Sequence, residues 1–346
     1  MRVPLQPCRR FRRRDDGCIG AAFGATAGRI PYSDQLIEKE GKFVGSLATA
    51  TACNAFTRWA GWAKLSQPFG RSTALEWAMY LLEFALVCTL LLAGTFAVMS
   101  TRRMRVYSGL RRQIDAILQV QDSRNTIEIA SRPLPSFDDA LAVLPNAIPL
   151  DRLAAVAAEI DALRSTERSY LPTHKKGGTV AYETLCTAAP QVVALYQSKH
   201  LHQLISRIVG VDVVPTPLHD QSSCSVLFYE RPGDHIGWHY DHNFYRGRHF
   251  TVLLPIINRD SRGQGVSAAR LMAKVGGVER EIPTPPNQLV VFEGARVLHK
   301  ATPITEGERR IVLSMTFATD PGSTIVQGVA RRIKDTAFFG IRALWT

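Results

Sequence analysis

From Trp77 to Met99 the chain reads WAMYLLEFALVCTLLLAGTFAVM, apolar on every face of a helical wheel, with no charged residue between Phe84 and Met99. At a rise of about 1.5 Å per residue this run spans roughly 34 Å, enough to cross a hydrocarbon core about 30 Å thick. A buried helix of a water-soluble domain seldom stays apolar all round for so long. The pattern therefore predicts a single membrane-spanning helix over residues 74–100, contacting the bilayer through 77–99. Glu83 lies within two turns of its N-terminal end, within reach of the interface. The sequel STRRMRVYSGLRRQ supplies Arg102, Arg103, Arg105, Arg111 and Arg112, against Lys64 and Arg71 on the other flank. The positive-inside bias then places the C-terminal part in the cytoplasm.

Beyond the span the polar stretch 113–135 reads as a connector, so residues 101–135 are expected to form a linker. PLDRLAAVAAEIDALRS repeats apolar residues at Leu153, Val156, Ala157, Ile160 and Leu163, one face of a helix with Asp151 as its expected N-cap. A second helix is predicted through PQVVALYQSKHLHQLISRIVG, closed by Gly210. After Val211 the pattern changes to short β-rich runs separated by Gly, Pro and Asn: CSVLFYE, HFTVLLPII, ARLMAKV, QLVVFEG and RRIVLSMTFAT. Strands at this spacing indicate a sandwich or barrel rather than a parallel α/β sheet. Residues 136–320 thus read as one α+β domain, helices supporting a small barrel, with 321–346 as a C-terminal extension. The basic, small-residue-rich segment 1–73 shows no core-forming period and is expected to be disordered.

The net charge of +12 suggests nucleic acid until it is divided along the chain. Residues 1–120 hold 17 Lys+Arg against 8 Asp+Glu, which leaves 25 against 22 for the remainder. The C-terminal domain is near neutral and lacks an aromatic-basic platform, so no nucleic-acid partner is expected. The six cysteines (8, 18, 53, 88, 186, 224) form no CxxC and no regular spacing, which excludes zinc-ribbon and disulfide-scaffold readings and leaves reduced thiols.

The chemistry gathers at GWHYDHNFYRG, residues 237–247. Residues two apart on a strand share a face, so His239 and Asp241 aim an imidazole and a carboxylate together while Tyr240 turns away. A third ligand has to come from elsewhere; the histidines downstream are 242, 249 and 299. His242 points off the 239/241 face, His249 opens the next strand, and His299 follows QLVVFEGARVL, where a neighbouring strand can deliver it. Two histidines and one carboxylate leave three octahedral positions open, the arrangement of non-haem Fe(II) oxygenases. HIGWH has the i, i+4 histidines of a zinc helix, but Pro232, Gly233 and Gly237 oppose a helix and the HExxH glutamate is missing.

The ordered set VLFYERPGDHIGWHYD, RHFT and HKATPITEGER resembles the 2-oxoglutarate- and Fe(II)-dependent dioxygenase superfamily, on its prolyl 4-hydroxylase-like side. The resemblance covers about residues 220–320 and implies a double-stranded β-helix, the jelly-roll or cupin-like barrel. It implies Fe(II) held by His239, Asp241 and His299, with 2-oxoglutarate and O₂ as co-substrates and ascorbate as a reductant. It implies further that Arg309, ten residues after His299, pairs with the distal carboxylate of 2-oxoglutarate, and that Tyr229 and Thr251 line the co-substrate pocket. Relatives carry a tyrosine where this chain has Pro255. Halogenating relatives replace the carboxylate with a small residue, so the presence of Asp241 implies hydroxylation. His242, Tyr245 and Arg248 stand as candidates for the substrate side. The substrate itself, whether peptidyl proline, an amino acid or a lipid-linked group, is not written in these motifs. The rival reading is an inactive, membrane-anchored cupin-like binding or scaffold protein, which a missing ligand would have favoured.

Overall fold

The computed structural model describes residues 71–121, 133–163, 167–171, 175–340 and 343. The segment expected to be disordered lies outside the described residues, apart from the first turn of helix α1 (Arg71–Gln121). The chain divides into two units, Met1–Leu82 and Glu83–Thr346. Of the first, only the opening turns of α1 are described.

Helix α1 is long and apolar enough to cross a membrane, and no residue from Glu76 to Ser100 is buried. It does not stop there. The expected linker is corrected over residues 101–121, which continue the same helix. Leu110 and Ile114 are buried in the core of the second unit, with Val106, Tyr107, Ile117 and Leu118 packed against it. Steps of three, four and seven along this set make a narrow apolar stripe. The arginines between them gave the stretch its polar look.

Strand β1 (Leu141–Leu144) precedes helix α2 (Leu150–Ala162). Pro149, not Asp151, takes the N-cap position of α2; Asp151 sits in the first turn, where its charge suits the helix dipole. Strands β2 (Glu167–Leu171) and β3 (Lys175–Val180) form a hairpin and lead into α3 (Tyr182–Ala188). The second predicted helix is two, α4 (Pro190–Gln197) and α5 (Lys199–Val209), broken where Ser198 turns extended. The His202 ring donates through Nε2 to the Tyr196 carbonyl at 2.9 Å, satisfying an acceptor that the break sets free. Gly210 closes α5 in the left-handed conformation, φ +73°.

The remaining strands are β4 (Val214–Pro215), β5 (Cys224–Tyr229), β6 (His235–His239), β7 (His249–Arg259), β8 (Leu271–Val275), β9 (Val278–Ile282), β10 (Leu289–Glu293), β11 (Leu298–Ala301) and β12 (Arg309–Ala318). All pairings are antiparallel, in the order β1-β10-β7-β12-β5-β3-β6-β11-β8-β9. Strands β10, β7, β12 and β5 form one layer, and β6, β11, β8 and β9 the other. The chain passes from layer to layer at nearly every connection, the jelly-roll arrangement. β3 joins the layers, pairing with β5 through residues 178–180 and with β6 through 175–176.

Each long strand of the first layer divides its side chains by period two. On β12, Ile311, Leu313, Met315 and Phe317 pack outward into the core shared with the helices. Arg310, Val312, Ser314 and Thr316 face a cavity between the layers. β5 and β7 repeat the division: Val226, Phe228, Val252 and Leu254 lie in the outer core, Leu227, Tyr229, Thr251 and Leu253 toward the cavity. Helix α6 (Ile325–Phe339), started by a Thr324–Gln327 capping box, belongs to what was expected to be an extension. It contributes Lys334, Phe338 and Phe339 to the cavity wall.

Candidate active site

His239 ends β6, and its register partner on β11 is His299, so the antiparallel ladder sets the two imidazoles side by side. Their ring centres are 4.1 Å apart. Asp241 lies just past the end of β6, and its position is fixed from the opposite layer. Its backbone N–H donates to the Gly294 carbonyl at 3.0 Å, and the Gly294 N–H donates to the His249 carbonyl at 3.1 Å. Gly294 has to be small: a Cβ there would stand 2.7 Å from the Asp241 Cβ and 3.0 Å from His249 Nδ1.

The donor atoms of His239, Asp241 and His299 all lie within 4.8 Å of one another. His239 Nε2 is 3.4 Å, and His299 Nε2 3.9 Å, from Asp241 Oδ1. Both Nδ1 atoms face backbone carbonyls, of Gly237 at 2.8 Å and Val297 at 3.1 Å. A carbonyl only accepts, so each Nδ1 carries the proton and each Nε2 lone pair is turned toward the carboxylate. Thr251 Oγ1 donates to Asp241 Oδ2 at 2.5 Å, orienting the other carboxylate oxygen. The donor set, its tautomers and its supporting bonds suit a divalent transition metal with open positions. Burial would raise the Asp241 carboxyl, but His299, His239 and Thr251 outweigh it and hold it well below the usual carboxylate range. Burial lowers the His239 imidazole, yet the bond and charge of Asp241 leave it raised overall. His299, deeper, is lowered by burial.

The cavity beside this cluster has a volume of about 390 Å³. Arg310 reaches into it, 2% exposed, its guanidinium 5.3 Å from the centre of the Tyr229 ring. Its Nε has no hydrogen-bond partner, and no carboxylate among the described residues pairs with it. Burial lowers the Arg310 pKa, and pushes the Tyr229 phenol up to about 12 despite the nearby cation. Arg309, the residue expected to clamp a carboxylate, is on the outer face. It donates from Nε to Glu230 Oε1 at 2.7 Å and from Nη1 to Asp161 Oδ1 at 2.6 Å. The expectation is corrected for a simple reason: adjacent strand residues face opposite ways, and Arg310 is the one in phase with Val312, Ser314 and Thr316.

The substrate-side candidates scatter. His242 lines the cavity mouth with its ring against Phe244. Tyr245 lines the cavity too, but its hydroxyl is bound to Asp220 Oδ2. Arg248 is outside the cavity, in a two-pronged ion pair with Glu293, and is corrected as a substrate contact. Arg246 and Gly247 are stitched by backbone bonds to Gly322 and Asp320, so this half of the loop is structural.

Lys175 stands on β3, whose two central glycines give little strand signal in the sequence. It is 4% exposed, bonded through Nζ to Thr179 Oγ1 at 2.9 Å and packed over the Phe338 ring at 4.7 Å. Burial, with Lys334 nearby, lowers its pKa to about 7. Lys334 itself is matched, with Asp220 and Asp335 each at 3.1 Å.

A family model described as Halogenase D matches residues 137–267, which include His239 and Asp241 but neither His299 nor Arg310. No curated protein matches. Among solved structures the chain is similar to 2-oxoglutarate-Fe(II) oxygenases and prolyl hydroxylases. AviO1 from Streptomyces viridochromogenes Tue57 shares 19% identity over 54% of this chain and 92% of that one, with a TM-score of 0.41. A Pseudomonas putida prolyl-4-hydroxylase shares 18% over 53% and 94%, with a TM-score of 0.38. An oxidoreductase of the 2OG-Fe(II) oxygenase family from Burkholderia pseudomallei shares 13% over 54% and 88%, with a TM-score of 0.44.

Proposed function

We propose that this chain is a membrane-tethered oxygenase that uses Fe(II), 2-oxoglutarate and O₂ to hydroxylate an unactivated C–H bond. The observation that carries the reading is Arg310. A guanidinium buried without an anion costs several kcal/mol, roughly, and is retained where a ligand supplies the anion. A dicarboxylate with one end on Arg310 and the other toward His239, Asp241 and His299 satisfies both features at once. Arg310 would bind the distal carboxylate, in a fork geometry suited to two parallel bonds, with Tyr229 beneath it.

Fe(II) bound by the two Nε2 atoms and the Asp241 carboxylate would supply the oxidising chemistry, driven by decarboxylation of 2-oxoglutarate to succinate. The protein's part is positional. The Gly237 and Val297 carbonyls fix the imidazoles, Thr251 and the Gly294 carbonyl fix Asp241, and the apolar walls Leu253, Leu271 and Val312 limit water at the reacting atoms. Asp241 favours hydroxylation over halogenation, because its carboxylate fills the position that the resemblance leaves open for halide. The unburied apolar turns of α1 support anchorage through residues 77–99, and the arginines that follow favour a cytoplasmic catalytic domain.

The full chain in detergent, given Fe(II), ascorbate, 2-oxoglutarate and O₂, is expected to form succinate even without a primary substrate. His239→Ala abolishes that turnover. Succinate formation at the no-enzyme rate, or unchanged in His239→Ala, overturns the reading.

A further inference from the structure

The charged groups lining the cavity do not balance. Asp220 and Asp335 are matched by Lys334, which pairs with both, and by the buried Arg331 acting on both, and Asp241 is engaged by the two histidines and Thr251. With the proposed occupants, Fe(II) and Asp241 carry a net single positive charge. Arg310 adds one, and doubly charged 2-oxoglutarate cancels both. Lys175 remains. Its Nζ is held by one neutral hydroxyl and an aromatic face, and Lys334, another cation, acts on it. An ammonium in such a position is desolvated without compensation, and one carboxylate or phosphate oxygen would relieve that.

Lys175 also stands apart from Arg310. Arg310 enters from β12, its guanidinium over the Tyr229 ring of β5. Lys175 enters from β3, where its register partner is Ile236 of β6, the strand that ends in His239. Phe338 covers it from α6, a helix that also supplies Lys334 and Phe339 to the same wall. The cavity therefore has two cationic side chains brought by different strands, Arg310 by β12 and Lys175 by β3. We infer that Lys175 is the docking point for an oxyanion, a carboxylate or phosphate, carried by the primary substrate. This inference rests on the oxygenase reading and narrows it, since neutral peptidyl groups would leave Lys175 unmatched.

The test uses the full chain in detergent, loaded anaerobically with Fe(II) and 2-oxoglutarate. Acetate, inorganic phosphate and uncharged acetamide are the probes, and the readout is the concentration dependence of the melting temperature. Wild type is compared with Lys175→Met, and with Lys175→Gln as a second variant. Replacing a buried charge by an apolar chain of like length is compatible with folding. Acetate or phosphate is expected to stabilise the wild type, with half-saturation at least tenfold weaker in both variants, and acetamide to have no effect. A response to acetate identifies a carboxylate as the substrate's anion; a response to phosphate identifies a phosphoryl group. Equal responses in wild type and variants overturn the assignment, as does the absence of any response. It is also overturned if the variants lose tenfold or more in 2-oxoglutarate affinity, which would put Lys175 in the co-substrate site. Failure of the wild type to take up Fe(II) and 2-oxoglutarate would count against the oxygenase reading itself, and is scored before any probe is added.

Discussion

Arg309 and Arg310 are neighbours in sequence and leave β12 on opposite faces, one into an ion pair with Glu230 and Asp161, the other into the cavity against Tyr229. Their substitutions separate accordingly. Arg310→Ala removes a buried guanidinium from its anion and is expected to weaken 2-oxoglutarate binding by about 30-fold or more, from a truncation cost of about 2–5 kcal/mol. Arg309→Ala breaks partly exposed ion pairs, worth about 1 kcal/mol or less in stability, and leaves 2-oxoglutarate affinity within about twofold. Anaerobic calorimetry on the two variants reads the difference.

Gly294 holds Asp241 by a backbone bond and leaves no room for a Cβ. Gly294→Ala is therefore expected to displace the carboxylate and weaken Fe(II) binding by about 10–100-fold, the range for groups that orient metal ligands. Thr251→Val, which deletes the hydroxyl donor to Asp241, falls in the same range. Metal titration with Co(II) as a spectroscopic substitute gives both numbers.

Metal affinity depends on pH with a definite sign. His239 has a raised pKa in the metal-free protein, so a proton and the metal compete for it from the acid side. Affinity is expected to fall as pH drops through and below the imidazole range. The metal-free fold behaves in the opposite sense: the contribution of a raised histidine is fully present below its unfolded pKa and is lost as pH rises through the folded one. Metal titrations and melting curves between pH 5.5 and 8, a window set by the usual histidine pKa of about 6.5, test both signs.

The apolar run of α1 and the stripe that packs on the domain belong to one helix. A chain shortened to begin at Ser100 keeps Val106, Tyr107, Leu110 and Ile114 and is expected to partition into the soluble fraction as a folded protein. One shortened to begin at Gln113 loses the contacts of Leu110 and is expected to melt several degrees lower. Burying a leucine is worth about 1.5–3 kcal/mol, and 1 kcal/mol shifts a domain of this size by about 2–4 °C. Fractionation and melting curves separate the two.

Much of the site was legible because its chemistry is local. The HxD pair and the distal His299 stand on strands whose turn residues are plain in the sequence, and the ladder brings His239 and His299 opposite each other. The phase of Arg310 was legible too, in the alternation of Val312, Ser314 and Thr316 with Ile311, Leu313 and Met315, but a spacing carried over by resemblance pointed one residue away. β3 was not legible. Its two central glycines weaken any strand signal, and its role in joining the layers depends on long-range partners in β5 and β6. Lys175 was hidden with it. Nor did any local pattern link α6 to the cavity, because that contact is made by tertiary packing alone.

Anaerobic binding of 2-oxoglutarate to the full chain, with and without Fe(II), tests the central claim most directly. The account predicts Fe(II)-dependent binding of 2-oxoglutarate that is lost in His299→Ala and in Arg310→Ala and kept in Arg309→Ala. Binding that is indifferent to Fe(II), or that survives in Arg310→Ala, would contradict it.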